Sequence, residues 1–336
     1  MSITSYSDAA HFSLLRRDSA QQRADLTRLT SELSSGRIAD LGQALGGDFS
    51  TLADISRGMR LNATFAASVT EAAIAAEGRQ SALGRISAEL DGFAPSLLAI
   101  TGGGSLSNLQ LKLADSSDRF EQAVNVLNTR FAGRSLFSAD APDATPLISA
   151  EDMMVELRTL VSGAPDAATA LADVNAWFTD AGGGYETLAW QGGTGDAPSV
   201  LIGEGQTAET GVTALDPALR EALAGLALAS LASEQAPGLP EDEQRAFITS
   251  AAHLMLDSED GLIALRARLG AEEARIEDAK VAAETARSSL QIEYGRLVEA
   301  DPYDTATELE AVSLRLESLY ILTARLSRLS LTEYLR

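Results

Sequence analysis

The sequence contains no cysteine, so neither a disulfide framework nor a thiolate metal site is available to it. Histidine is almost as scarce: His11 and His253 stand far apart with no ligand company. Aromatic residues make up only 5% of the 336-residue chain, against 45% hydrophobic residues overall. That mix favours close helix packing through Ala, Gly, Ser and Leu over a thick core with an aromatic centre. Positive charge is the minority sign. A formal net charge of -22 sets up a field that repels phosphate backbones and anionic headgroups, so neither nucleic acid nor membrane is an expected partner. No apolar run approaches the roughly 20 residues a membrane span requires. The opening Met1 to Asp8 lacks the basic segment, apolar run and small-residue cleavage site of a secretory signal.

What is present is helical periodicity at both ends. Leu26, Leu29 and Leu33 recur at spacings of three and four until Gly36 stops the run. Arg16, Arg17, Arg23 and Arg28, on the same stretch, read as a solvated face. Asp48 is placed to cap a second helix with Phe65, Val69, Ala72, Ala76, Leu83, Ile86, Leu90, Phe93, Leu97 and Ile100 on its seam and Arg79 as a polar intruder. Read to Ile100, that helix is roughly 75 Å long at ~1.5 Å per residue, with a kink expected at Pro95. After Thr101 to Ser105 a further seam of Leu106, Leu109, Leu113, Phe120, Ala123 and Leu127 suggests an antiparallel hairpin.

The texture then changes, since residues 139–245 hold seven of the nine prolines and much of the glycine. Helices are expected at Ala150 to Leu160, through Leu171 to Phe178 and at Pro217 to Leu231, and short strands at Thr187 to Gln191, Ser199 to Ile202 and Gln206 to Thr213. The last region returns to a heptad, Leu262, Leu269, Ile276, Ala283, Leu290 and Leu297, interrupted at Asp301-Pro302. Leu309, Val312, Leu316, Leu319, Leu322, Leu326 and Leu329 then form one stripe of a final helix. The expected fold is mainly α: a long antiparallel coiled coil or bundle of N-terminal (1–138) and C-terminal (246–336) regions, with a small α/β or β-rich middle domain (139–245) inserted.

Enzyme chemistry finds little support. Gly182 to Gly184 and Gly192 to Gly195 read as turns, because no Lys-Ser/Thr follows as a phosphate loop requires. No Gly-x-Ser-x-Gly elbow occurs, and the carboxylates at Glu241 to Glu243 and Glu272-Glu273 lack calcium-loop spacing and read as solvated helix starts. No catalytic residue, metal or cofactor is expected.

Leu33-Ser34-Ser35-Gly36-Arg37-Ile38 resembles the turn that ends the first helix of the bacterial flagellin family. Asn128 to Ser138 is similar to that family's exit toward its outer domain, Leu269 to Glu277 to the start of its C-terminal region, and Glu299-Ala300-Asp301 to its acidic bend. The similarity covers about residues 1–138 and 250–336. It departs after Ile38, where Ala39-Asp40-Leu41-Gly42 replaces a paired-aspartate turn. Leu188 to Gly192, Val200 to Thr207 and the ending Leu329 to Leu335 look most like the family's hook-filament junction branch.

The resemblance implies a non-enzymatic structural subunit of the flagellum that joins hook to filament. A filament subunit is the alternative within the family, and an extracellular coiled-coil adhesin or secretion-needle protein the alternative outside it. It implies Leu26, Leu29, Leu33 and the Leu309 to Leu329 stripe as assembly surface, and Ser34, Ser35, Gly36, Arg37, Glu299 and Asp301 as turn motifs. Implied partners are the hook-side junction protein, flagellin, further copies of the chain and an export chaperone. The implied location is extracellular, reached through the flagellar secretion channel without a cleaved signal, with termini that are mobile before assembly.

Overall fold

A computed structural model of the chain describes residues 4–102, 106–131, 133–197, 199–209, 211–235 and 240–334. Helices dominate it. In chain order they are α1 (Thr4–Ser35), α2 (Leu41–Ala44), α3 (Ser50–Leu90), α4 (Phe93–Thr101), α5 (Leu106–Leu113), α6 (Ser116–Leu127), α7 (Ala150–Gly163), α8 (Ala167–Thr179), α9 (Pro217–Gln235), α10 (Glu241–Val298) and α11 (Pro302–Tyr334). Two small antiparallel hairpins accompany them, β1 (Arg130–Phe131) with β2 (Arg134–Ser135) and β3 (Val200–Gly203) with β4 (Gln206–Ala208). No described helix is long and apolar enough to cross a membrane. The chain folds as two compact units, residues 1–62 with 285–336, and residues 63–284.

The second unit is built around α9. Leu219, Ala222, Leu223, Ala224, Leu226, Ala227, Leu228 and Ala229 are all buried, so this helix is apolar on every side and has to sit inside a core. α6 and α8 pack against it, with α5 and α7 as further neighbours. A Cβ on Gly225 would lie 3.0 Å from the backbone nitrogen of Met255 and 3.2 Å from the carbonyl of Ala251, so glycine is what lets α9 approach α10 this closely. The same core takes in Val69, Ala72, Ala76, Leu83, Ile86 and Leu90 of the α3 seam and Leu262, Leu269 and Ile276 of the α10 seam, with Leu265 and Ala279 beside them.

Several local expectations are corrected. The helix beginning near Asp48 does not run unbroken to Ile100: it ends at Leu90, and Gly92 takes the left-handed conformation at φ 72° before α4. Pro95 makes no kink, because it falls in the first turn of α4, where a missing N–H leaves no bond unmade. The seam from Leu106 to Leu127 is split between α5 and α6, and Ser116 donates its hydroxyl to the Leu113 carbonyl at 2.6 Å across the break. Gly103 to Ser105 of the expected hairpin turn lie outside the described residues. Tyr185–Ala189 form a π-helical turn where a strand is expected; only Trp190 pairs in β fashion, with Leu147. Glu272 is no helix start: it lies inside α10, 2.8 Å from Arg275.

The aromatic residues, though few, do form a centre. Trp177, Phe178 and Tyr185 stack at centroid distances of 4.7, 6.2 and 5.6 Å, and the Tyr185 hydroxyl donates to the Ala214 carbonyl at 2.8 Å. Arg220 is buried against them. It donates to the carbonyls of Phe178 and Asp180 and pairs with Glu186 at 2.6 Å. Arg79, the polar residue on the α3 seam, donates to the Leu136 carbonyl at 2.9 Å, and burial beside Arg134 brings its guanidinium down to about 10.

Arg220→Met should destabilise this unit by about 3 kcal/mol, because it takes a charged donor away from the Phe178 and Asp180 carbonyls and from the Glu186 carboxylate. Urea unfolding measures it, and a loss under about 1 kcal/mol would contradict the assigned role. The Glu186 carboxyl is held below its ordinary value, chiefly by the Gly182 N–H and further by Arg220. The stability it contributes is therefore present above the unfolded-state carboxyl value and fades as pH falls through the lower folded-state value, and Glu186→Gln should remove that part of the acid dependence.

Candidate functional site: the paired termini

The first unit is organised by one turn meeting another. α1 ends at Ser35, where Gly36 takes φ 68° and its N–H reaches back to the Glu32 carbonyl at 2.8 Å, a left-handed helix cap. Nothing lies within 4 Å of where a Gly36 Cβ would stand, so it is backbone conformation that calls for glycine. Ser35 Oγ accepts from the Arg37 N–H at 3.3 Å, and Ser34 Oγ donates to the Ser31 carbonyl. At the other end of the sequence α10 stops at Val298. Asp301 then accepts from the N–H groups of Tyr303 at 2.8 Å and Asp304 at 3.2 Å, capping α11 with Pro302 as its first helical residue.

These two turns bond to each other through the backbone. The Ile38 N–H donates to the Val298 carbonyl at 2.9 Å and the Ala300 N–H to the Gly36 carbonyl at 3.1 Å, an antiparallel bridge at Arg37 and Glu299. The structure thus brings Ser34, Ser35, Gly36, Arg37, Glu299 and Asp301 into one small junction. From it α1 and α11 lie side by side, running in opposite directions.

Leu29 and Val312 are buried in that pair, and Leu26, Leu309, Leu316 and Leu319 are half-buried. Leu33 and Leu322 stay 41% and 50% exposed. The side chains of Leu326 and Leu329, and Leu335 of the C-terminal motif, lie outside the described residues. Leu14, Leu314 and Ile321 are about half exposed as well, at 53%, 58% and 49%. A two-helix contact covers only one stripe of each helix, and both carry more apolar surface than that.

Two arginines of the face expected to be solvated also have partners. Arg23 donates to the Tyr320 hydroxyl at 2.9 Å and lies 5.6 Å from the ring centroid, so it bridges α1 to α11. Arg28 pairs at 3.0 Å with Glu32, a buried carboxylate. Their four-residue separation on a helix was the available signal for that pair. Nothing in the spacing foretold Tyr320. In the segment that departs from the family turn, Asp40 caps the short α2 by accepting from the Gln43 N–H at 2.9 Å. Among the described residues no group of three metal-ligating side chains converges.

Long paired helices whose ends meet at a backbone junction, with apolar stripes left partly open, define this unit. Residues 258–335 match the bacterial flagellin C-terminal helical region. The fold is that of flagellar hook-associated proteins. A flagellar hook-associated protein of Vibrio parahaemolyticus superimposes with a TM-score of 0.51 at 12% identity, over 73% of this chain and 95% of that one. FlgL of Bacillus cereus does so with a TM-score of 0.52 at 14% identity, over 72% of this chain and all (100%) of that one. No curated protein matches the chain by sequence.

Gly36→Ala should weaken the junction by about 1–2 kcal/mol through left-handed strain alone, and Gly36→Asn, which tolerates that conformation, should recover most of the loss. Amide exchange at Ile38 and Ala300 reads the effect. Equal rates in Gly36→Ala and the native chain would show that the cap geometry is dispensable.

Proposed function

We propose that this chain is a structural, non-catalytic subunit of the bacterial flagellum that joins hook to filament. The observation that carries the proposal is the α1–α11 pair, clamped at its base by the junction and bearing leucines that the pair leaves half open. Burying that surface against neighbouring subunits stabilises an assembly by roughly 25 cal/mol per Å². The flagellin C-terminal match and the fold shared with hook-associated proteins supply the class of assembly. The Ser330 to Leu335 ending and the β3–β4 hairpin favour the junction over the filament.

On this reading residues 1–138 and 246–336 form the axial part and 139–245 its inserted domain. Leu29 and Val312 hold the helix pair together, and Leu26, Leu33, Leu309, Leu316, Leu319, Leu322, Leu326 and Leu329 are its assembly surface. Its neighbours are the hook-side junction protein, flagellin and further copies of itself. The protein works outside the cell, exported through the flagellar channel with the help of a chaperone.

Deleting the gene should leave hooks in place while flagellin is shed into the medium, and the native gene should restore filaments. Cells that keep their filaments after deletion would sink the proposal. Purified protein growing alone into long helical fibres would point to a filament subunit instead. Two truncations separate folding from assembly. Leu29→Ala should destabilise the monomer's paired helices by about 2–4 kcal/mol. Leu322→Ala should change monomer stability by no more than about 0.5 kcal/mol, yet reduce the number of attached filaments.

A further inference from the structure

Glu32 has a place in the junction that neither its spacing nor the turn motif assigns to it. It is 5% exposed, unusual for a carboxylate. Its main-chain carbonyl accepts from the Gly36 N–H at 2.8 Å. Its side-chain Oε1 accepts from the Ala39 N–H at 3.0 Å, and Arg28 Nη1 donates to Oε1 and Oε2 at 3.2 and 3.0 Å. One residue therefore holds both ends of the segment Gly36 to Ala39. Within that segment the Gly36 carbonyl and the Ile38 N–H are what bond to Ala300 and Val298.

We infer that Glu32 is the positioning residue of the junction: its carboxylate, accepting the Ala39 N–H, sets the register in which residues 36–38 meet residues 298–300. Four backbone atoms must arrive at bonding distance together, the Ile38 and Ala300 N–H groups and the Gly36 and Val298 carbonyls, and a slip of one residue exchanges which groups face each other. A turn tied at Gly36 alone can swivel about that point. Tied at Ala39 as well, it cannot. Arg28 has a supporting part, supplying the counter-charge that makes a buried carboxylate tolerable. Resting on the function proposed above, the inference extends to assembly: α11 leaves the junction alongside α1 only when the register is right, and both open stripes depend on that pairing.

The chemistry separates this positioning role from a plain ion pair. Glutamine keeps a carbonyl oxygen for the Ala39 N–H and loses the charge, alanine loses both, and arginine at position 32 has no acceptor at all. In the full-length protein, Glu32→Ala should speed amide exchange at Ile38 and Ala300 at least tenfold, while Glu32→Gln stays within about threefold of native. The exchanged pair Arg28→Glu with Glu32→Arg restores opposite charges but should remain as fast as the alanine variant. Native exchange rates in Glu32→Ala would overturn the inference, and so would recovery in the charge-exchanged pair. Unchanged exchange within residues 63–284 serves as the control that the variants fold.

In cells, Glu32→Ala should lower the number of attached filaments at least tenfold and Glu32→Gln should restore it. Fast exchange in Glu32→Ala combined with a native filament count would overturn the assembly role. A deletion strain that keeps its filaments would instead remove the proposed function and leave the exchange result standing.

Discussion

Two backbone hydrogen bonds, Ile38 to Val298 and Ala300 to Gly36, decide where the ends of this chain meet. They are short-range and directional, so they work only if both turns are held in one shape beforehand. The protein supplies that shape locally. Gly36 turns the chain left-handed, Ser35 braces the turn, Glu32 ties its far side, and Asp301 with Pro302 starts the next helix at a set distance from the end of α10. Remove the junction and α1 and α11 are two amphipathic helices whose contact alone buries few large side chains, a marginal arrangement for isolated helices in water.

Within residues 63–284 the organising force is different. α9 is mostly alanine and leucine, and its small residues let α6 and α8 approach closely while α10 passes at Gly225. Dense packing of small side chains gives strong dispersion contact with little need for aromatic bulk. The aromatic trio at Trp177, Phe178 and Tyr185 is confined to the part of this core that also carries the buried Arg220. The contrast between the units bears on the proposed function. One has a large buried core, though Leu111, Leu188, Ile263 and Val281 on it stay more than half exposed; the other has little core of its own and leaves leucines on α1 and α11 half covered, surface that the proposed function assigns to its neighbours.

Periodicity made much of the fold legible. Seams on α3 and α10 were readable because burial at seven-residue spacing leaves a pattern that local chemistry does not blur. The break at Asp301-Pro302 was readable because proline acts on the residue before it regardless of context. Strands were expected at Ser199 to Ile202 and Gln206 to Thr213, and β3 and β4 lie there, though β4 ends at Ala208. The π-turn at Tyr185 to Ala189 did not: β-branched and aromatic residues there mimic a strand, and what overrides them is Tyr185 turning into the core to reach Ala214.

By itself the sequence determined most of the helical stretches, that the two extremities carry matching apolar stripes, and that the chain is acidic and cysteine-free. These properties are written in neighbouring residues, so order along the chain is enough to read them. Only the tertiary structure decided that Arg37 lies against Glu299, that Arg23 reaches Tyr320, that Glu32 is buried and bonded to Ala39, and that α9 is the centre of a core. Most of these contacts join residues far apart in sequence, and the Glu32 cap depends on a turn whose shape the far end of the chain helps to hold. Partners of that kind leave no spacing to read, because a hydrogen bond depends on position in space.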